Sequence, residues 1–348
     1  MDASSAPENT AGGAAEHDVL FNREEPTKTP QKSTLLLWQF FLVPLLIVLA
    51  VLGVFLLFGA FAGGEKSPED LLQEVLTGSD NEKRQAAHQL AVEMNQAYRE
   101  FAQGGDAPFY ANAPFQTGLQ RALGNAVADR LPEEHQVALM RFVGMAGGRG
   151  AADALGQVLY PRDPKMPPAE RGVRLGAAEG LTLMALKHPA EAAPWLAQAA
   201  QDPTHPQVRS TGLNGLARLA WQARPSEEPS AVREALRAGL EDPLPGARLN
   251  AAVGLALRGE GGDAVVALLE ASLSREGLEG LEIPKELHAP ALRNAAKAAA
   301  VLGVQSLKAS VERITQSSAE GDEGVRKQAR AALEAWGQPL ADRQGSEN

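Results

Sequence analysis

Val173-Arg174-Leu175-Gly176-Ala177-Ala178-Glu179-Gly180-Leu181 decides the fold, because the chain repeats it. It returns as Val208-Arg209-Ser210-Thr211-Gly212-Leu213-Asn214-Gly215-Leu216 and as Ala247-Arg248-Leu249-Asn250-Ala251-Ala252-Val253-Gly254-Leu255. Looser copies run Leu292-Arg293 to Ala300 and Val325-Arg326 to Leu333, and an early one runs Lys83-Arg84 to Ala91. Three residues after each Arg stands Ala or Gly: Ala87, Ala177, Gly212, Ala251, Ala296, Ala329. Seven after it stands Leu or Ala: Ala91, Leu181, Leu216, Leu255, Ala300, Leu333. Offsets of three and seven share one helical face. The small residue lets a neighbouring helix approach closely, and the second position fills the core. From Arg174 onward the Arg-to-Arg spacings are 35, 39, 45 and 33 residues. These lengths predict one helical hairpin per repeat, joined by loops of varying length.

The turns before several of these helices carry Asp: Asp80, Asp202-Pro203, Asp242-Pro243 and Asp322. An Asp there caps a helix by accepting backbone N–H bonds. It also stands within reach of the Arg of its own or an adjacent repeat, where a series of Asp–Arg pairs would align the stack. The Asp-Pro turn, the Val-Arg pair and the following Ala-Ala-x-x-Leu helix resemble the HEAT-repeat family, in particular its short subtype also found in bilin lyases. The resemblance covers roughly Asp80 to Trp336 with six to eight repeats. Val92 to Gly172 departs from it, having no clean Val-Arg pair, although Leu139 to Leu159 still has a helical pattern. Arg293 has no Asp-Pro turn before it. The resemblance implies a curved stack of helix pairs, with the second helix of each pair lining the concave side, and binding of a protein partner.

Composition agrees with an all-α fold. Aromatic residues are only 5% of the 348, while Ala and Leu, both strong helix formers, are abundant. The net charge of −10 comes with no run of Lys and Arg. That argues against nucleic acid as a partner and against a basic stripe for anionic lipid. The absence of cysteine removes disulfides, thiolate metal sites and cysteine nucleophiles together.

Ahead of the repeats, no charged residue occurs from Ser33 to Gly64. A bilayer core about 30 Å thick needs roughly 20 apolar residues in a helix. Residues 34–63 therefore read as one transmembrane helix, with Trp38 near one interface and Pro44 a tolerated kink. Arg23, Lys28 and Lys32 precede the run, whereas only Lys66 follows closely, amid Glu65, Glu69 and Asp70. The positive-inside tendency then puts the N-terminus in the cytoplasm and the repeats on the outer, periplasmic or equivalent, side. Residues 1–33 read as a disordered polar tail, 64–337 as the α-solenoid and 338–348 as a polar C-terminal tail.

No catalytic, cofactor-binding or metal constellation is expected. The six histidines show no i, i+4 pair. His188 sits at a helix end, and His88 has a packing role on a repeat helix. Gly144-Met145-Ala146-Gly147-Gly148-Arg149-Gly150 lacks the following Lys-Ser of a phosphate loop and reads as a turn between helices. Arg84, Arg174, Arg209, Arg248, Arg293 and Arg326, with Asp202, Asp242 and Asp322, are structural repeat positions. The candidate partner-binding loop is 103–115, with Phe109, Tyr110 and Phe115. Residues 160–171, rich in Pro, and 274–290, with Leu278, Leu281 and Ile283, are further insertions. Together these features point to a membrane-anchored, non-catalytic scaffold for a protein partner. A bilin-lyase-like protein handling a tetrapyrrole and a self-associating envelope protein are the alternatives.

Overall fold

The computed structural model describes Val48 and residues 66–102, 112–162, 169–220, 229–316 and 323–338. The chain divides into two units, 1–65 and 66–348. In the first, Val48 is helical and exposed. The rest of the apolar run 34–63, like the tails 1–33 and 339–348, lies outside the described residues. Among the described residues no helix is long and apolar enough to cross a membrane.

The second unit is built from helices, with no strand among the described residues. In chain order these are α1 (Pro68–Thr77), α2 (Asp80–Ala102), α3 (Ala113–Ala128), α4 (Glu133–Ala146) and α5 (Ala151–Leu159). They continue with α6 (Arg171–Met184), α7 (Pro189–Ala199), α8 (Pro206–Leu219), α9 (Ser230–Gly239) and α10 (Pro245–Ala256). The last are α11 (Asp263–Ser272), α12 (Arg275–Gly280), α13 (His288–Leu302), α14 (Gln305–Thr315) and α15 (Glu323–Glu334).

The packing partners define two layers. In the inner layer α2 meets α4, α4 meets α6, α6 meets α8, α8 meets α10, α10 meets α13, and α13 meets α15. In the outer layer α1 meets α3, α3 meets α5, α5 meets α7, α7 meets α9, and α11 meets α14. Each inner helix also packs on the outer helix that precedes it. Among the described residues seven hairpins stacked in this way form an α-solenoid, within the expected range of six to eight.

Local sequence sets the helix starts. Pro stands in the first turn of α1, α3, α7, α8 and α10, where its missing N–H costs nothing. Ser67 and Asp70 cap α1 reciprocally. The Gly144 to Gly150 stretch is the turn between α4 and α5, with Gly147, Gly148 and Gly150 at positive φ. The repeat pattern also predicts the core from Arg174 onward. Ala177, Gly212, Ala251, Ala296 and Ala329 are all buried, as are Leu181, Leu216, Leu255 and Ala300, with Leu333 half-buried.

The early copy at Arg84 is a correction. Arg84 is exposed, and α2 buries Ala86, Leu90, Met94 and Ala97 instead of Ala87 and Ala91. Leu90 and Met94 remove more apolar surface from water than alanine can, so they rotate the helix. Ala87 and Ala91 are left half-buried on the inner face. His88 is exposed and does not pack, contrary to expectation.

Candidate functional site

Two sets of polar residues stand out, one closed on itself and one open. The closed set joins successive repeats. The Asp202 carboxylate receives Arg174 Nη2 from the preceding repeat and the Tyr160 hydroxyl at 2.8 Å. Its other oxygen accepts the N–H groups of Thr204 (2.9 Å) and His205 (2.8 Å) in its own turn. The Tyr160 ring covers the guanidinium at 5.4 Å. One repeat on, Arg209 Nε meets Asp242 Oδ2 at 2.5 Å, and Asp242 Oδ1 accepts the Leu244 N–H. Two of the Arg residues also reach back to their own turns: Arg209 donates to the Asp202 carbonyl and Arg248 to those of Asp242 and Pro243. Arg209 thus pairs with both the Asp of the next repeat and the backbone of its own, while Arg174 shows the first contact and Arg248 the second. The Asp residues cap the turn, ahead of the helix itself.

The electrostatics follow from this geometry. Burial opposes the Asp202 charge, but the N–H groups and hydroxyls of Thr204, Tyr160 and His205 hold its pKa down at about 2. Burial, then Asp202 itself, push the Tyr160 phenol up, so it remains an O–H donor. Asp242 holds the Arg209 guanidinium more firmly charged. Arg174 Nε is buried without a hydrogen-bond partner among the described residues.

The series does not extend unchanged. Gln136, buried near the start of α4, takes the place of an Arg and donates to the Leu131 carbonyl of its own turn at 2.6 Å. Sequence reading passed over it because no Arg marks the position. Arg293 and Arg326 sit near the starts of α13 and α15. Asp322 lies outside the described residues, so the last expected pair is not on view.

The open set lines a groove of about 760 Å³ on the inner layer. Its floor is α4 and α6, with Phe142 and Met145 buried beneath it. Ala87, His88, Ala91 and Asn95 of α2 form one wall, and Thr211, Asn214 and Arg218 of α8 form the other. Arg141 grips Glu179 across α4 and α6 at 2.7 Å. The Thr182 hydroxyl donates to the Ala178 carbonyl. Tyr98, on the long second half of α2, donates its O–H to the Leu183 carbonyl at 3.1 Å and also bonds the Arg218 side chain. Burial raises the Tyr98 pKa, while Arg218 lowers it. Three groups in the groove, the Asn214 amide, the Thr211 hydroxyl and the His88 imidazole, make no side-chain hydrogen bond among the described residues.

These groove positions have a sequence signal. Glu179 and Asn214 stand five residues after the recurring Arg, and Leu183 and Arg218 nine after it. One helical turn separates the two offsets, so they share a stripe. In the next repeat the same offsets hold Val253 in α10 and Leu257 just after it, both buried, and the polar stripe ends.

The expected partner-binding loop needs correction. Phe109 and Tyr110 lie outside the described residues. Phe115 is not in a loop; it is 1% exposed in the first turn of α3. The Asn112 side chain caps that helix by accepting the Phe115 N–H at 3.0 Å, and Asn112 also donates to Glu69 on α1. The insertion 274–290 contains α12 and a 3₁₀ turn, with Leu278 fully buried. At the other predicted turn, burial lowers the pKa of His188, which precedes α7. Neighbouring Lys187 is lowered by burial to about 8 and covers the Phe101 ring of α2 at 5.7 Å.

Among the described residues no group of three or more His, Asp or Glu could hold a metal ion. No family model matches the chain, and no curated protein matches it. Among solved structures it is similar to computationally designed armadillo repeat proteins for modular peptide recognition. There the identity is 16% over 78% of this chain and 100% of that one, with a TM-score of 0.36. It is also similar to human deoxyhypusine hydroxylase in complex with glycerol, at 18% identity over 80% of this chain and 98% of that one, with a TM-score of 0.31.

Proposed function

We propose that this chain is a HEAT-like, non-catalytic scaffold, tethered to a membrane by residues 34–63, which holds a polypeptide partner in the groove between α2 and α8. One observation carries the proposal. Asn214, Thr211 and His88 present unpaired polar groups over a buried apolar floor of Phe142 and Met145. An apolar floor with a few convergent polar groups is what a binding site offers. Asp202 and Asp242 are already engaged by Arg174 and Arg209 at the inter-repeat turns, away from the groove lining. The tether rests on the uncharged stretch from Ser33 to Gly64. The Lys and Arg imbalance around that stretch supports the reading that the solenoid lies on the outer side.

The test is a photocrosslinking amino acid at Asn214 in native membranes, with Glu234 on the outer layer as the control position. A discrete adduct from position 214 and none from 234 is the expected result. Equal labelling, or none from either, would sink the groove as the binding site. Retention of the chain in the membrane pellet after alkaline carbonate tests the tether. A reporter fused after Asn348 that works only outside the cytoplasm tests the orientation.

A further inference from the structure

Resting on that groove, we infer its ligand class: an extended peptide segment that places an acidic side chain on Arg218. Charge leads to this assignment. Arg141 and Glu179 neutralise each other on the groove floor. Arg218 then leaves the groove net positive, in a chain whose overall charge is −10. The groove therefore favours an acidic side chain over a basic one, although the chain as a whole carries negative charge.

The geometry of Arg218 adds a second reason. Its side chain is tied to the Tyr98 hydroxyl, which is itself anchored on the Leu183 carbonyl. Three helices, α2, α6 and α8, thus meet at one guanidinium, which is otherwise exposed. Five N–H donors in a rigid fork cannot all be used by one phenol, and the matching acceptor for the remaining fork is a carboxylate. Holding the side chain in place beforehand reduces the ordering cost of binding.

Extended backbone suits the spacing. Packed helices lie about 8–10 Å apart, so crossing from α4 over α6 to α8 takes roughly 16–20 Å. At about 3.3 Å per residue, five or six extended residues make that crossing. Alternate side chains then face the floor, where Phe142, Met145 and Leu183 accept apolar groups, while Asn214 and Thr211 stand ready for backbone N–H and C=O.

The experiment is selection from a random-peptide phage library on the full chain in lipid nanodiscs, followed by titration of the recovered peptides. The wild-type chain is expected to enrich peptides with Asp or Glu beside apolar residues. Changing that acid to its amide should weaken binding by roughly tenfold to a hundredfold, the range for a charge-assisted hydrogen bond. Arg218→Glu should reverse the preference to Lys or Arg. Arg218→Lys should keep the acidic preference in weaker form, and circular dichroism checks that every variant stays helical. Enriched peptides without acidic bias, or a bias that Arg218→Glu leaves unchanged, would overturn the acidic assignment and leave the scaffold standing. No enrichment over empty nanodiscs would overturn both.

Discussion

The repeats from α6 to α10 and the hairpins from α1 to α4 are built from the same residue types, yet they use their polar groups differently. Between α6 and α10, Arg174, Asp202, Arg209, Asp242 and Arg248 bind one another and the turn carbonyls, repeat to repeat. Between α1 and α4 no Asp–Arg pair of this kind is on view among the described residues. Gln136 stands in for an Arg, and the long helix α2 is rotated so that Ala87, His88, Ala91 and Asn95 face the groove. Regular repeats satisfy themselves and gain rigidity. The irregular end leaves the exposed side of α2 over, and together with the open Thr211 and Asn214 of α8 that surplus is where a partner can bind. Stability and binding are thereby assigned to different parts of one stack, the inter-repeat turns and the inner groove.

The sharpest way to break this contrast is to remove one carboxylate. Asp202→Ala would strand the Arg174 guanidinium, 10% exposed at its side chain, together with the Tyr160 hydroxyl and the turn N–H groups. Removing one partner of a buried pair costs about 3–5 kcal/mol. Gln136→Ala loses a single neutral hydrogen bond, worth about 1 kcal/mol. Urea denaturation of both variants should show this gap. Similar losses would mean that the two regions are not held differently.

Acid should expose the same asymmetry. Unfolded Asp titrates near 3.8, and Asp202 in the folded chain near 2. The folded state therefore keeps the carboxylate ionised where the unfolded chain is already protonated. Its contribution is complete above about pH 4 and disappears as the pH falls to about 2. Its size is about 2–3 kcal/mol. Hydrogen exchange corrected for intrinsic rates should show α6 and α8 losing protection across that interval. In Asp202→Asn that loss should be gone.

The two regions meet where α4 crosses α6, and there the backbones touch. A Cβ added at Gly144 would lie 2.2 Å from the Gly180 carbonyl oxygen, and one at Gly180 would lie 2.6 Å from that of Met140. Gly144→Ala must push the helices apart, at about 1–3 kcal/mol for an overpacked site. The loss should fall on the seam, so a melt of this variant should lose its single transition if the ends can unfold separately.

Much of this was legible in the sequence, for reasons that differ by residue. The core of α6, α8, α10 and α13 follows from the offsets of three and seven after Arg, because burial selects a face. The pairing of Arg174 with Asp202 was one of two options; only packing decides that an Arg reaches the next turn. Phe115 was misassigned because Asn112, Ala113 and Pro114 resemble a loop, although an Asn cap followed by Pro is equally a helix start. Gln136, Tyr98 and Arg218 were not seen, since their importance lies in contacts between residues 85 or more apart in the chain or in replacing a motif residue. The Tyr98 to Leu183 bond is such a case.

The smallest effect concerns that clasp, and it bears most directly on how the two ends cooperate. Tyr98→Phe keeps the ring and its burial but removes the hydroxyl that bonds Leu183 and Arg218. A lost neutral hydrogen bond costs about 1 kcal/mol, so the whole chain should stay folded. The change should be local: faster amide exchange in the second half of α2, and none in α10 or α13. If α2 forms the groove wall because Tyr98 holds it against α6 and α8, release of the wall accompanies loss of the hydroxyl. If exchange in α2 is unchanged, the Lys187 contact with Phe101 and the buried Met94 and Ala97 hold the helix unaided. In that case α2 belongs to the rigid region, and the division between a self-satisfied and an open end falls at α8 alone.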